Sequence, residues 1–211
     1  GYFSVESLAI TAAGLAGLIQ NNGHMQLVVG AHDIKPDLIA VQNLTETKAI
    51  EIIEEIGAKI AEDLENLTDV FLQDRLKALA WMIVKGSVEI KVAIPKKTYF
   101  ERGNGIFHEK LLIMEDDDGC TISAIGSANE TRHAYEMNGE SLTIHMSWRP
   151  GASVYIDKHK NDFLAVWNNK HPDYLIFHLP EAIKLKLKER YYSESSPKFD
   201  PLEKNAIIDT D

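Results

Sequence analysis

Apolar positions recur along this chain with two different spacings, and each spacing predicts a different secondary structure. Apolar residues three or four positions apart place one face of a helix in a core, whereas alternating or unbroken β-branched runs are typical of strands. On this basis helices are predicted over residues 5–19, 50–67, 72–83, 153–169 and 181–192. Strands are predicted over residues 25–30, 88–94, 110–114, 120–125 and 141–148. Because helices and strands are interspersed, the pattern predicts an α/β fold built in layers.

Residues that favour turns mark the ends of several of these elements. Ser4 is expected to cap the first helix, which would end at Asn21-Asn22-Gly23, and the third helix is expected to end at Gly86. The sequence Asp116-Asp117-Asp118-Gly119 separates two predicted strands, and Asp-Gly is favoured in hairpin turns. These three carboxylates could also bind a cation, but a solvated hairpin tip accounts for them without one.

Length and composition predict one globular domain in a reducing compartment. The 211 residues are 45% hydrophobic, which is enough for one substantial core, and no Pro/Gly/Ser-rich linker divides them. The single cysteine, Cys120, excludes an internal disulfide framework and a cysteine-based zinc site, and it favours a cytoplasmic location. The apolar run at 5–19 contains Glu6 and is too short to span a bilayer. Because the chain opens on Gly1 rather than methionine, we expect a fragment of a larger protein.

Charge is unevenly distributed along the chain. The formal net charge of −10 argues against a protein that coats nucleic acid or anionic membrane by bulk attraction. Residues 46–77 hold nine acidic and four basic side chains, a net −5, whereas residues 85–110 hold six basic and three acidic ones, a net +3. Lys96 and Lys97 lie in this basic segment and are expected to contact an anionic substrate, although solvated loop charges would also explain them. An anion can therefore be received locally despite the overall charge.

The residues that can perform chemistry are concentrated between positions 107 and 140. His108 and Lys110 are two residues apart on a predicted strand, so both side chains leave the same face. The hairpin brings Ser127 and Asn129 back beside them, and Glu140 leads into the next strand. Lysine and asparagine can hold the non-bridging oxygens of a phosphodiester, while an imidazole oriented by a carboxylate attacks phosphorus. This set of residues predicts a phosphodiester-cleaving site.

These motifs resemble the signature of the phospholipase D superfamily, which is His-x-Lys, then an Asp, then Gly-Ser-x-Asn. More narrowly, the chain resembles the phospholipase D-like module at the N-terminus of bacterial DEAD/DEAH-box helicases and of restriction or defence proteins. The resemblance extends over nearly the whole chain, through residues 1–4, 27–30, 89–93, 107–110, 126–131 and 167–169. It implies a layered sandwich in which helices flank a mixed central sheet, formed by residues 1–211 as a single domain.

The resemblance also implies roles for individual residues. His108 would be the nucleophile that forms a phosphohistidine, and Lys110, Ser127 and Asn129 would form the phosphate pocket. Glu140 would orient an imidazole. The reaction would need no metal ion and no cofactor.

Two features depart from the family pattern. Glu115, followed by Asp116, stands where the family has its Asp, a residue that is structural in many members. The family uses two His-x-Lys sites, one to attack and one to protonate the leaving group, but this chain has one, at His108 and Lys110. Lys158-His159-Lys160 does not repeat the spacing. We therefore expect a homodimer in which the two copies of His108 meet at the interface.

The leading function is that of a DNA nuclease module, with an ATP-dependent helicase domain expected in the same polypeptide. Two alternatives remain open: a catalytically weak module that positions nucleic acid for a helicase, and an enzyme that hydrolyses phospholipid. The acidic charge and the lack of a membrane-binding stretch disfavour the lipid substrate. Arg132 is a further candidate for substrate contact, although a solvated helix start also explains it. The basic residues between Lys184 and Arg190 could bind nucleic acid, or could only interact favourably with the helix dipole at a helix end.

Overall fold

A computed structural model describes residues 16–30, 46–68, 70–96, 110–126, 141–195 and 197 of the chain. The helices in these ranges are α1 (Ala16–Gln20), α2 (Glu46–Asn66), α3 (Val70–Lys85), α4 (Ser153–Trp167) and α5 (Glu181–Tyr191). The strands are β1 (Met25–Gly30), β2 (Val88–Pro95), β3 (Leu111–Glu115), β4 (Thr121–Gly126), β5 (Leu142–Met146) and β6 (Tyr174–His178). The fold is therefore mixed α/β, as the sequence predicts.

Local sequence signals place most element ends correctly. The first helix ends where expected, because the Gly23 N–H donates to the Leu18 carbonyl over 2.8 Å and closes the last turn. The beginning of that helix, with its expected cap Ser4, lies outside the described residues. The predicted hairpin between β3 and β4 is confirmed, and Gly119 in its turn has a φ of 80°, a conformation that favours glycine.

Two elements differ from the sequence-based expectation. The strand predicted over 141–148 ends at Met146, because the Arg149 N–H donates to the Met146 carbonyl over 2.9 Å and turns the chain. Strand β6 was not predicted at all. Its apolar residues pair antiparallel with β2, from Lys91 opposite His178 to Pro95 opposite Tyr174.

The described strands form two three-stranded sheets. Their strand orders are β1-β2-β6 and β3-β4-β5, and the β3-β4 and β4-β5 pairs are antiparallel. The prediction of one mixed central sheet in a phospholipase D-like sandwich stays a prediction.

The described residues fall into two compact units. The first unit comprises residues 28–30, 46–56, 90–96, 110–126 and 141–179. The second unit comprises residues 16–27, 57–68, 70–89, 180–195 and 197. Each unit draws on separate stretches of the chain, and the expectation of a single domain over 1–211 stays a prediction.

Each unit has its own apolar core. In the first unit α4 packs on the β3-β4-β5 sheet and on β6, where Val166 joins Ala93 and Tyr174 in a buried cluster. In the second unit α3 packs on α5, burying Leu79 and Ile183 completely. Burial of such side chains contributes about 1.5–3 kcal/mol each relative to exposure.

Candidate active site on the three-stranded sheet

The described parts of the three motif segments meet at one end of the β3-β4-β5 sheet. Leu111 lies opposite Ile125, and the Gly126 N–H donates to the Lys110 carbonyl over 3.3 Å. Gly126 in turn lies opposite Leu142, the first residue of β5. The sheet therefore brings Lys110 of His-x-Lys next to the glycine of Gly-Ser-x-Asn, and next to the strand that follows Asn-Gly-Glu.

Gly126 is required by close packing at this end of the sheet. A Cβ atom added there would lie closer than 3.0 Å to the Ser141 carbonyl oxygen and 3.2 Å from the Leu142 Cα. Real Cβ atoms do not approach backbone so closely, so only glycine fits without a backbone shift. Close packing thus explains why the first residue of Gly-Ser-x-Asn is glycine, and the sequence alone did not show this packing.

Lys110 is half-buried and directly precedes β3. Lys96 is also described, whereas the remaining residues predicted to act in catalysis or substrate binding lie outside the described residues: His108, Ser127, Asn129, Glu140, Lys97 and Arg132. Their roles stay predictions.

Lys96, predicted to contact substrate, is engaged within the first unit. Its ammonium donates to the His171 carbonyl over 3.1 Å, and its backbone N–H donates to the Asp173 carbonyl over 2.7 Å. Both carbonyls belong to the loop between α4 and β6. A substrate phosphate would have to compete with this loop for the Lys96 ammonium.

Glu115, at the position of the family's Asp, holds the hairpin to α4. Its carboxylate pairs with the Lys160 ammonium and accepts a hydrogen bond of 2.9 Å from the Thr121 hydroxyl. The Lys160 and Thr121 hydrogen bonds lower the pKa of the Glu115 carboxyl. Glu115 is five residues beyond Lys110, or about 17 Å along an extended strand. Its observed contacts are structural, and its correspondence to the Asp of the family stays a prediction.

A group of polar side chains between α4 and the sheet was not found by sequence reasoning. Ser123, completely buried, has its Oγ 2.9 Å from Nδ1 of His159, which is 9% exposed. The His145 ring lies 5.6 Å from the His159 ring, centroid to centroid, and stacks on Tyr155 at 4.5 Å. The alternation of β4 contained a signal, since Thr121 and Ser123 put polar groups on one face of an otherwise apolar strand.

The opposite face of the same sheet is apolar; its central residue, Ala124, is buried, and the large side chains around it are partly exposed. Residues directly opposite in an antiparallel sheet share a face, so Leu112 and Ile144 lie on the side away from α4. Four large side chains on this side are about half exposed: Leu112 at 51%, Met114 at 50%, Leu142 at 56% and Ile144 at 48%. We refer to these four residues as the open face.

Three of the four basic residues of α5 are paired with carboxylates. In the second unit the Lys186 ammonium lies 2.7 Å and the Arg190 guanidinium 3.4 Å from carboxylate oxygens of Glu65, while Lys184 lies 3.3 Å from Glu181. The hydrogen bond between Glu65 and Lys186 lowers the pKa of Glu65 and raises the pKa of Lys186. These contacts favour the structural interpretation of the α5 charges over nucleic-acid binding.

Two other kinds of site are absent from the part of the chain that the structure describes. Within those ranges, no helix combines the length and the apolar character that crossing a membrane requires. Nor do the same residues contain three or more His, Cys, Asp or Glu side chains grouped closely enough to hold a metal ion.

Comparisons of the chain with protein-family models, with curated proteins and with solved structures found no significant match.

Proposed function

We propose that this chain is a metal-independent phosphodiesterase of the phospholipase D type that cleaves DNA. The observation that carries the proposal is the convergence of Lys110, Gly126 and Leu142 at one end of the β3-β4-β5 sheet. His108 is two residues before Lys110 in the sequence, and Ser127 follows Gly126 directly. The sheet register thus supports a shared site for residues that are up to 32 positions apart, from His108 to Glu140.

In the proposed reaction the neutral imidazole of His108 attacks phosphorus. An N–P bond forms as the P–O bond to the leaving oxygen breaks, and the partner's His108, protonated, gives its proton to that oxygen. Water then attacks the phosphohistidine, the partner imidazole takes a proton from the water, and the N–P bond breaks. Lys110 and Asn129 hold the non-bridging oxygens and stabilise the charge that develops on them.

The proposal requires two copies of the chain, and the open face supports this. Three strands about 4.8 Å apart and five residues long at 3.3 Å each give this side of the sheet about 240 Å². A stable interface buries about 800 Å² per partner, so the open face could supply roughly a third of it. Its residue Leu142 lies opposite Gly126, so the apolar surface reaches the end of the sheet where the site is proposed.

The test is hydrolysis of labelled single- and double-stranded DNA by the purified chain, with excess EDTA. We expect cleavage that EDTA leaves unchanged and that His108→Ala abolishes. The matched control is His178→Ala, which removes an exposed histidine on β6 and should retain full activity. Rapid denaturation with detergent at alkaline pH, where the N–P bond of phosphohistidine survives, should trap a DNA-protein adduct, and mass spectrometry of its peptides should locate the adduct at His108.

Other outcomes would contradict this mechanism or favour a different function. Restoration of EDTA-blocked cleavage by magnesium would contradict the mechanism. Binding of DNA in fluorescence anisotropy without turnover would favour the nucleic-acid-positioning module. Hydrolysis of phosphatidylcholine vesicles without DNA binding would favour a phospholipase. Light scattering that shows an active strict monomer at micromolar concentration would refute the dimeric site.

A further inference from the structure

His159 occupies a position in which a positive charge would be poorly accommodated. It lies on α4, faces the β3-β4-β5 sheet and is 9% exposed. Its Nδ1 lies 2.9 Å from the hydroxyl oxygen of Ser123, which is completely buried on β4. A neutral imidazole can form a hydrogen bond here in either tautomer, because the serine hydroxyl can donate to Nδ1 or accept from it.

Titratable and charged side chains lie near His159 on more than one side. From β5, the His145 ring lies 5.6 Å away, centroid to centroid. On α4 itself, Lys158 precedes it and Lys160 follows it; these lysines pair with Asp162 of α4 and Glu115 of β3 respectively. Of the charged neighbours, Asp162 favours the protonated ring, and Lys158 and His145 oppose it.

Protonation would change this contact in two ways. Both nitrogens of an imidazolium are donors, so the Ser123 hydroxyl could then only accept from His159. It would also place a positive charge in a largely buried position, where the charge loses part of its hydration.

We propose that His159, in contact with Ser123, is an acid-sensitive latch, which holds α4 on the β3-β4-β5 sheet while its ring is neutral and loosens it when the ring takes up a proton. The latch is independent of any catalytic activity. It requires only that the helix and the sheet are held together at this point by a neutral ring.

The direction of the pH effect follows from the burial of His159. Burial, and next the neighbouring His145, lower the pKa of His159 below its ordinary value of 6.5. The unfolded or opened chain therefore binds a proton at a higher pH than the closed one. The contact between α4 and the sheet is therefore strongest above about pH 6.5, and it weakens as the pH falls towards the lowered pKa of His159. Uptake of one proton can change the opening equilibrium by at most about tenfold per pH unit.

Amide hydrogen exchange of the full chain, corrected for intrinsic exchange rates, tests the latch between pH 7.5 and 5. We expect the protection of α4 amides to fall by up to about tenfold per pH unit below pH 6.5. Amides of α5, in the other unit, serve as the internal reference and should keep their protection. His159→Gln keeps a polar side chain but cannot titrate, so its α4 amides should lose the pH dependence.

The matched control is His178→Gln, which makes the same substitution at an exposed histidine of the same unit. It should behave as the wild-type chain does. Equal pH dependence in wild-type and His159→Gln chains, or α4 protection that does not change with pH, would overturn the proposal. Should His159→Gln fail to fold, NMR titration of the wild-type histidines decides, because an ordinary or raised pKa at His159 is incompatible with the latch.

Discussion

Gly126→Ala tests whether the close approach of β4 and β5 organises the end of the sheet that we propose as the active site. The added methyl group would overlap the Ser141 carbonyl oxygen, which belongs to backbone and cannot rotate away. Overpacking of this kind costs about 1–3 kcal/mol. The loss of conformational freedom in the unfolded chain offsets about 0.4–1 kcal/mol of that cost. We therefore expect the free energy of unfolding to fall by about 1–2 kcal/mol.

Thermal and urea unfolding measure this change. For a chain of this size, each kcal/mol moves Tm by about 2–4 °C, so we expect a decrease of roughly 2–8 °C. The matched control is Gly17→Ala in α1, where an added Cβ meets no atom within 4 Å. That change should stabilise the chain by about 0.5–1 kcal/mol, because alanine favours helix. If Gly126→Ala matched or exceeded the stability of the wild-type chain, the close contact would not exist in solution.

Three further changes have defined outcomes. Tyr191→Phe removes a buried hydroxyl that donates to the Leu64 carbonyl over 2.8 Å, so chemical unfolding should show a loss of about 1–2 kcal/mol. Because the pKa of Glu115 is lowered from 4.5 in the folded chain, its ionised carboxylate stabilises the fold above pH 4.5, and this stabilisation is lost as the pH falls through the lowered pKa. Glu115→Gln should therefore lack this part of the acid-induced loss of stability. An acid unfolding profile identical to that of the wild-type chain would contradict the pairing with Lys160. Finally, initial rates of DNA cleavage should follow a bell-shaped pH profile, because one His108 must be neutral and the partner's His108 protonated, and a flat profile between about pH 5 and 8 would refute these roles.

The sequence predicted the local structure of the described residues well. The hairpin between β3 and β4 followed from an Asp-Gly turn between two short, mainly apolar runs, and β2 followed from its alternation. These features depend on interactions between residues close in sequence, so the sequence holds the relevant information. The adjacency of Lys110 and Gly126 was predictable for the same reason, since a tight turn sets the register of the strands it connects.

The tertiary structure decided the contacts between residues far apart in the chain. Glu115 meets Lys160 across 45 positions, and Ser123 meets His159 across 36. Strand β6 was missed because its short apolar run has no period of its own, and it became a strand by pairing with β2, about 80 residues earlier. Hydrophobic spacing shows which face of an element is buried but does not identify the element that covers it. Whether a histidine is a solvated side chain or a buried partner of a serine therefore depended on the packing of α4 against the sheet.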